Sequence, residues 1–232
     1  MTGIKSAFIL AGGKGERLRP LTIDTPKPLL PVKGKPILEW AIERLADYGV
    51  EKIVLGTGFL NEKVHEEIGN GEKYGVKINY SIEKEFLGTG GALKFAQAFF
   101  DGRFIMLNGD NLMDIDYAAM NELHERNSAT GTIALVEVDE VEQYGVAELE
   151  GEKILNFIEK PKKEEAPSNL INAGAYILEK GAIDLMPSGF CLIEKTMFPA
   201  LAEQGKLFGF RHGGKWFPTD TIERYEKAKK EW

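Results

Sequence analysis

The chain predicts an α/β fold, a mostly parallel sheet flanked by helices and joined to a smaller, partly antiparallel lobe. Three observations predict it. The first half alternates apolar runs of strand length with amphipathic stretches of helical period. A glycine-rich, cationic loop follows the first apolar run directly. The second half is mixed, with short strands following one another between its helices.

The elements can be justified in order. Ala7-Phe8-Ile9-Leu10 reads as the first strand, and Gly12, Gly13 and Gly15 lie where it gives way to a loop. Glycine there lets backbone approach a ligand closely and turn N–H groups toward phosphate oxygens. Residues 12–35 hold six cations (Lys14, Arg17, Arg19, Lys27, Lys33, Lys35) against two anions (Glu16, Asp24), a local +4 in a chain of formal net charge −7. That loop is built for a polyanion. It is neither a P-loop, which needs a following Gly-Lys-Ser/Thr, nor the dinucleotide fingerprint, which leads into an apolar helix start. Pro20, Pro26, Pro28 and Pro31 predict a stiffened, extended segment carrying Arg17 and Lys27 over the ligand.

Pro36 opens a helix with Leu38, Ala41, Ile42 and Leu45 at helical spacing, and Gly49 suits its C-terminal cap. Lys52–Leu55 reads as a second strand, Asn61–Ile68 as a helix and Val76–Tyr80 as a third strand. Gly90-Gly91 opens a helix through Phe99, and Phe104–Leu107 forms a buried strand. A helix over Tyr117–Arg126 precedes strands near Gly131–Val136, Gly145–Leu149, Ile154–Ile158 and Ala173–Leu178. Helices over Ile193–Gln204 and Ile222–Lys230 complete the pattern, and Lys160–Ser168 is the most loop-like stretch. The second lobe is expected to close a cleft over the carboxyl edge of the sheet.

Composition narrows the function. Hydrophobic residues at 43% and charged residues at 28% describe an ordinary globular protein. No apolar run approaches the ~20 residues that span a membrane, and no signal-peptide core stands at the N-terminus, so a cytoplasmic location is the default. Cys191, the single cysteine, excludes an intramolecular disulfide and a cysteine-only zinc site. The acidic balance argues against nucleic acid, because positive charge gathers in one loop. His65, His124 and His212 lack metal-ligand spacing and read as surface residues.

Several residues have two readings from sequence. Asp110, in Asn108-Gly109-Asp110, follows the Phe104–Leu107 strand, and ligands in open α/β sheets bind outside the carboxyl ends of strands. It suits a Mg²⁺ ion shared with phosphate oxygens, or a plain turn. Asp220, in Lys215-Trp216-Phe217-Pro218-Thr219-Asp220-Thr221, suits a metal or the cap of the following helix. Phe86-Leu87-Gly88-Thr89-Gly90-Gly91 is an anion-attracting helix start or an ordinary capped one. Glu159-Lys160 is a site pair or a strand-end charge pair.

The stretch LAGGKGERLRPLTIDTPKPLLPV, Leu10 to Val32, resembles the signature of the sugar-1-phosphate nucleotidylyltransferases, with Glu16 where the family usually has Thr. The resemblance covers nearly the whole chain and implies a Rossmann-like fold of the nucleotide-diphospho-sugar transferase type, in a single catalytic domain over residues 1–232 with a sugar-binding lobe. Many relatives add a C-terminal left-handed β-helix of hexapeptide repeats, which these residues do not encode. It implies that Arg17 and Lys27 are catalytic. Leu10, Ala11, Gly12, Gly13 and Gly15 would bind nucleotide, with Glu85, Gly88 and Thr89 near the base. Gly145, Glu159, Lys160 and Asn172 would hold the sugar phosphate, and Asp110 and Asp220 would hold Mg²⁺. Glu194-Lys195 resembles a further family motif, although a solvated helix face explains it as well.

The implied partners are a nucleoside triphosphate and a sugar 1-phosphate, with neither nucleic acid nor membrane; homo-oligomerisation is compatible. GTP with mannose 1-phosphate is the favoured pair. A dTTP-, UTP- or CTP-dependent enzyme acting on glucose 1-phosphate or a related sugar is the alternative; the first half also resembles thymidylyl- and uridylyltransferases, and Trp-x-x-x-Asp-Thr near the end resembles the cytidylyltransferase branch. A glycosyltransferase would show Asp-x-Asp after the central strand, where this chain has Asn108-Gly109-Asp110. A non-catalytic, nucleotide-sensing subunit should have lost Arg17, Lys27 or Asp110, and all three are present.

Overall fold

The computed structural model describes residues 3–232, and the chain divides into two units. The first comprises residues up to Phe86 together with Leu107–Ile115 and Gly214–Trp232; the second comprises Leu87–Met106 and Asp116–Gly213. Among the described residues no helix is long and apolar enough to cross a membrane.

The chain begins in the first unit with β1 (Ser6–Leu10), β2 (Pro31–Val32), β3 (Lys35–Pro36), α1 (Ile37–Tyr48), β4 (Lys52–Thr57), α2 (Asn61–Ile68) and β5 (Lys77–Ile82). In the second unit α3 (Gly88–Phe95) follows, and β6 (Phe104–Asn108) leads the chain back to β7 (Asn111–Met113) of the first. The second unit resumes with α4 (Tyr117–Arg126), β8 (Gly131–Glu137), β9 (Gly145–Glu150), β10 (Lys153–Glu159), β11 (Leu170–Leu178), α5 (Met197–Glu203) and β12 (Leu207–Arg211). Finally β13 (Trp216–Pro218) and α6 (Ile222–Glu231) belong to the first.

In the first unit β1 pairs in parallel with β4, and β4 with β5, as the alternating pattern predicts. Ala7, Phe8, Ile9, Ile53, Val54 and Leu55 are fully buried, which is why these strands read as unbroken apolar runs. Gly49 takes φ 100° and closes α1, its N–H donating to Ala46 while Val50 N–H donates to Leu45. The loop after β1 is not simply extended. It winds into single 3₁₀ turns at Glu16–Leu18 and Lys27–Leu29, because Leu18 and Leu30 must reach a core shared with Val32, Ile37, Leu112, Tyr225 and Ala228. Each such leucine buried contributes about 1.5–3 kcal/mol, enough to fold a short segment against its local preference.

The second unit is mixed, as expected. Its order is β11-β8-β12-β10-β9, and β11 also meets β9 with Ile171 opposite Val146, so the five strands close on themselves. Every pairing is antiparallel except β12 with β8. Strand β12 is absent from the sequence reading because Gly209 interrupts its alternation; a Cβ there would stand 2.6 Å from Leu135 Cδ1. The helix expected over Ile193–Gln204 is shorter, a 3₁₀ turn at Ile193–Lys195 followed by α5.

His124 corrects a reading of its own. It is wholly buried, on the stripe that Tyr117 and Met120 also occupy at helical spacing. Its Nδ1 lies 2.8 Å from Thr132 Oγ1 and its Nε2 3.3 Å from Glu179 Oε1. Arg103 donates to Glu179 (2.8 Å) and to Glu125 (2.8 Å). Burial first, then the Arg103 charge, pushes the imidazole down to about 4, against the pull of Glu179 and Glu125. The unfolded chain therefore takes up this proton near pH 6.5 and the folded chain only near pH 4. Stability should fall as pH drops through that window, with His124 accounting for up to about 3 kcal/mol. Urea midpoints measured from pH 7 to pH 4 check this, and His124→Gln should flatten the decline.

Candidate functional site

The carboxyl ends of β1, β4 and β5, the loop after β1 and the turn before β7 line a pocket of about 810 Å³ in the first unit. Gly12, Gly13, Gly15, Arg17, Lys27, Glu85, Asp110 and Asp220, all singled out by sequence, line it. Gly15 adopts φ +61°, and a Cβ on it would press Thr22 Cγ2 at 3.0 Å and Lys27 Cβ at 3.1 Å. Thr22 Oγ1 donates to Gly15 O at 2.7 Å, folding the loop onto itself. Lys27 is thereby buried along its stem, and its Nζ donates to Asp110 Oδ2 at 2.6 Å.

Asp110 and Asp220 are brought to one pocket by a pairing that the sequence hides. β7 runs antiparallel to β13 with Asn111 opposite Pro218, so the residues flanking that pair approach each other. Thr219 fixes the approach, its N–H (3.1 Å) and its Oγ1 (2.8 Å) both donating to Asp110 O. Gly109 has to be glycine, since its Cβ would stand 2.5 Å from Leu10 O. Asp220 accepts from Arg224 Nη1 with both oxygens (2.9 and 3.1 Å), and Arg17 Nη2 lies 3.0 Å from its Oδ2. Burial opposes its ionisation, but Arg224, then Arg17 and Lys27, outweigh this and hold the carboxyl below its usual range. Thr221, not Asp220, caps α6, its Oγ1 accepting from Arg224 N–H at 3.3 Å.

Charge balance in the pocket differs from that of the loop alone. Lys14, Arg17, Lys27 and Lys84 line it together with Glu16, Glu83, Glu85, Asp110 and Asp220, four cations to five carboxylates. Arg17 and Lys27 are each spent on an aspartate.

Several expectations change. Leu10 and Ala11 stand at the pocket's edge, just behind its lining glycines: Leu10 O accepts from Gly109 N–H (2.9 Å) and Ala11 N–H donates to Gly56 O (2.8 Å), bonds that hold the start of the loop to the neighbouring segments. Glu85 is exposed, whereas Glu83, directly after β5, is half-buried with Oε1 3.4 Å from where a Gly12 Cβ would sit. The strand-end rule that singles out Asp110 would have found Glu83. Gly58 and Phe59, after β4, line the pocket by the same rule.

The second unit holds another cluster. Gly88 has φ +73°, and a Cβ there would stand 2.6 Å from Cys191 O. Thr89 is bonded within the unit: its Oγ1 donates to Glu194 Oε2 at 2.6 Å and accepts from Ile193 N–H at 3.0 Å. Glu194 is half-buried instead of lying on a solvated face, and burial pushes its carboxyl up despite Thr89. Glu159 is likewise raised by burial, with Lys160 Nζ 3.7 Å away and Lys195 pulling it down. Lys160 takes φ 50°, a strain the ordinary strand-end reading does not require. Gly145 is needed for packing, since a Cβ would meet Phe157 Cζ at 2.3 Å and Glu159 Oε2 at 3.0 Å. Asn172 spends both side-chain groups internally, donating to Tyr176 OH and accepting from Gly174 N–H at the irregularity in β11.

A sequence model described as nucleotidyl transferase matches residues 6–231. The chain belongs to the nucleotidyl transferase family. It is 36% identical over 96% of its length to a mannose-1-phosphate guanylyltransferase of Mycobacterium tuberculosis, of which it covers 63%. It is 42% identical over 90% of its length to a mannose-1-phosphate guanyltransferase of Yarrowia lipolytica, of which it covers 59%. The chain thus spans roughly three fifths of the length of these two curated relatives. HddC from Yersinia pseudotuberculosis complexed with GMP-PN shares the fold with a TM-score of 0.82 at 30% identity, over 98% of this chain and 99% of that one.

If Thr221 is the cap, Thr221→Ala should lower unfolding free energy by about 1 kcal/mol. Asp220→Asn keeps the hydroxyl cap and should leave the N-terminal turn of α6 intact by amide hydrogen exchange.

Proposed function

We propose that the chain transfers the nucleotidyl group of a nucleoside triphosphate to a sugar 1-phosphate, with GTP and mannose 1-phosphate as the pair, in the cytoplasm. The observation that carries this reading is the charge pattern of one pocket: a glycine loop, two cations held ready on two aspartates, and a glutamate at the far strand end. The similarity to two mannose-1-phosphate guanylyltransferases supports the pair chosen.

The sugar phosphate oxygen is already anionic, so no base has to deprotonate it. It forms a bond to the α-phosphorus as the bond to pyrophosphate breaks, and the electron pair leaves with the pyrophosphate oxygen. The protein supplies alignment and charge. Arg17 suits the departing pyrophosphate, because its fork meets two oxygens. Lys27, buried along its stem, places a fixed charge at the α-phosphate. Glu159 would accept from sugar hydroxyls and Lys160 would hold the sugar's phosphate, with Glu194 beside them.

Mg²⁺ fits the first unit's pocket on its donor set. A triphosphate entering a pocket lined by five carboxylates and four cations brings negative charge where none is in deficit. Mg²⁺ favours one or two carboxylates plus phosphate oxygens, and Asp110 and Asp220 are the pair that would hold it. Bound there, it would neutralise charge on the phosphate oxygens.

Glu83 replaces Glu85 as the residue proposed to read the base. Glu83 stands directly after β5 in the pocket lining, its Oε1 close to Gly12, and a carboxylate accepts two hydrogen bonds from the N1–H and N2–H₂ edge of guanine.

Pyrophosphate release with ATP, CTP, GTP, UTP and dTTP against a panel of sugar 1-phosphates tests the reading. GTP with mannose 1-phosphate should be fastest, and activity should vanish in excess EDTA; no release with any pair would refute the reading. Arg17→Ala should lower turnover roughly 10²-fold. Glu83→Gln should cut the preference for GTP by about tenfold or more, while Glu85→Gln leaves it unchanged.

A further inference from the structure

Arg224 has no part in the scheme above, yet it makes the most extensive contact with Asp220. One Nη1 reaches both carboxylate oxygens. The turn that carries it is fixed: Thr221 accepts its backbone N–H, and its neighbour Tyr225 is buried with OH donating to Pro31 O at 2.7 Å. The second cation on Asp220 is different in kind. The Arg17 side chain is 65% exposed, against 23% for Arg224, and sits on a loop turn.

We infer that Arg224 and Arg17 together keep Asp220 from taking a divalent cation, that a triphosphate lifts this bar by drawing Arg17 away, and that Arg224 is the positioning residue that then holds the carboxylate oriented. The inference rests on the proposed nucleotide reading. With two guanidinium groups at its oxygens, Asp220 presents little negative potential, and a divalent ion there meets the repulsion of both. A triphosphate changes both terms, because it brings its own negative charge and competes for the exposed Arg17. Arg224, held by its helix, stays and keeps the carboxylate oriented. Metal and triphosphate therefore bind together, not metal first.

Mn²⁺ binding, read by water-proton relaxation with and without GTP, tests this on the whole chain. Wild type should bind Mn²⁺ weakly alone and much more tightly with GTP. Without GTP, Arg224→Gln should bind Mn²⁺ about tenfold more tightly than wild type, since one repelling charge is gone. Adding Asp220→Asn to that variant should abolish the gain. Arg224→Lys keeps the charge but not the two-oxygen contact, and should give a smaller gain, about threefold; it carries the test if the glutamine variant does not fold. Equal Mn²⁺ affinity of wild type and both Arg224 variants without GTP, alongside normal GTP-dependent binding, overturns the role of Arg224 alone. Absence of GTP-dependent Mn²⁺ binding in wild type overturns the nucleotide and metal reading together with it.

Discussion

The ion pair between Lys27 and Asp110 joins segments 83 residues apart, and the pocket's other features are arranged around it. Lys27 belongs to a loop that would otherwise be free to swing, and Asp110 to a turn at a strand end. Holding them 2.6 Å apart sets side by side a cation and a carboxylate, the two charges that the proposed reaction assigns to phosphate and to metal. The pairing also keeps the free pocket close to neutral, so neither charge stands uncompensated before a ligand arrives.

Apolar packing makes that pair possible. Leu18 and Leu30 bracket the loop and drop into the core that Tyr225 and Ala228 of α6 complete. Tyr225 OH then bonds Pro31 O, a few residues past Lys27. The helix that follows Asp220 and the loop that carries Lys27 are thus fixed to one another by buried surface and one polar contact. Thr219, fully buried, adds two hydrogen bonds to Asp110 O. Charge placement in this unit follows from side chains that carry no charge.

Much of this was legible in the chain. Parallel strands β1 and β4 read as apolar runs because both their faces are covered, and helices α2 and α4 match their periodic stretches. Arg17, Lys27 and Asp110 were found by loop charge and strand-end position. What stayed hidden depends on contacts between distant segments. The β7–β13 pairing involves three residues on each strand, too few for a period to show. The resemblance points to Glu85 and leaves Glu83 unnamed, because exposure is not written in a run of charged residues. His124 was hidden by its polarity, although its spacing with Tyr117 and Met120 pointed inward. The internal partners of Thr89 and Asn172, Glu194 and Tyr176, lie 105 and 4 residues away and carry no signal in the sequence.

If the free pocket holds Lys27 on Asp110, then Asp110 competes with phosphate for that cation whenever metal is absent. The direct measurement is the affinity for GTP in excess EDTA, by calorimetry, for wild type, Asp110→Asn and the double variant with Lys27→Ala. Asp110→Asn should bind metal-free GTP more tightly than wild type, by about fivefold or more, and Lys27→Ala should erase that gain. Metal-free GTP binding that is unchanged or weaker in Asp110→Asn would contradict the account.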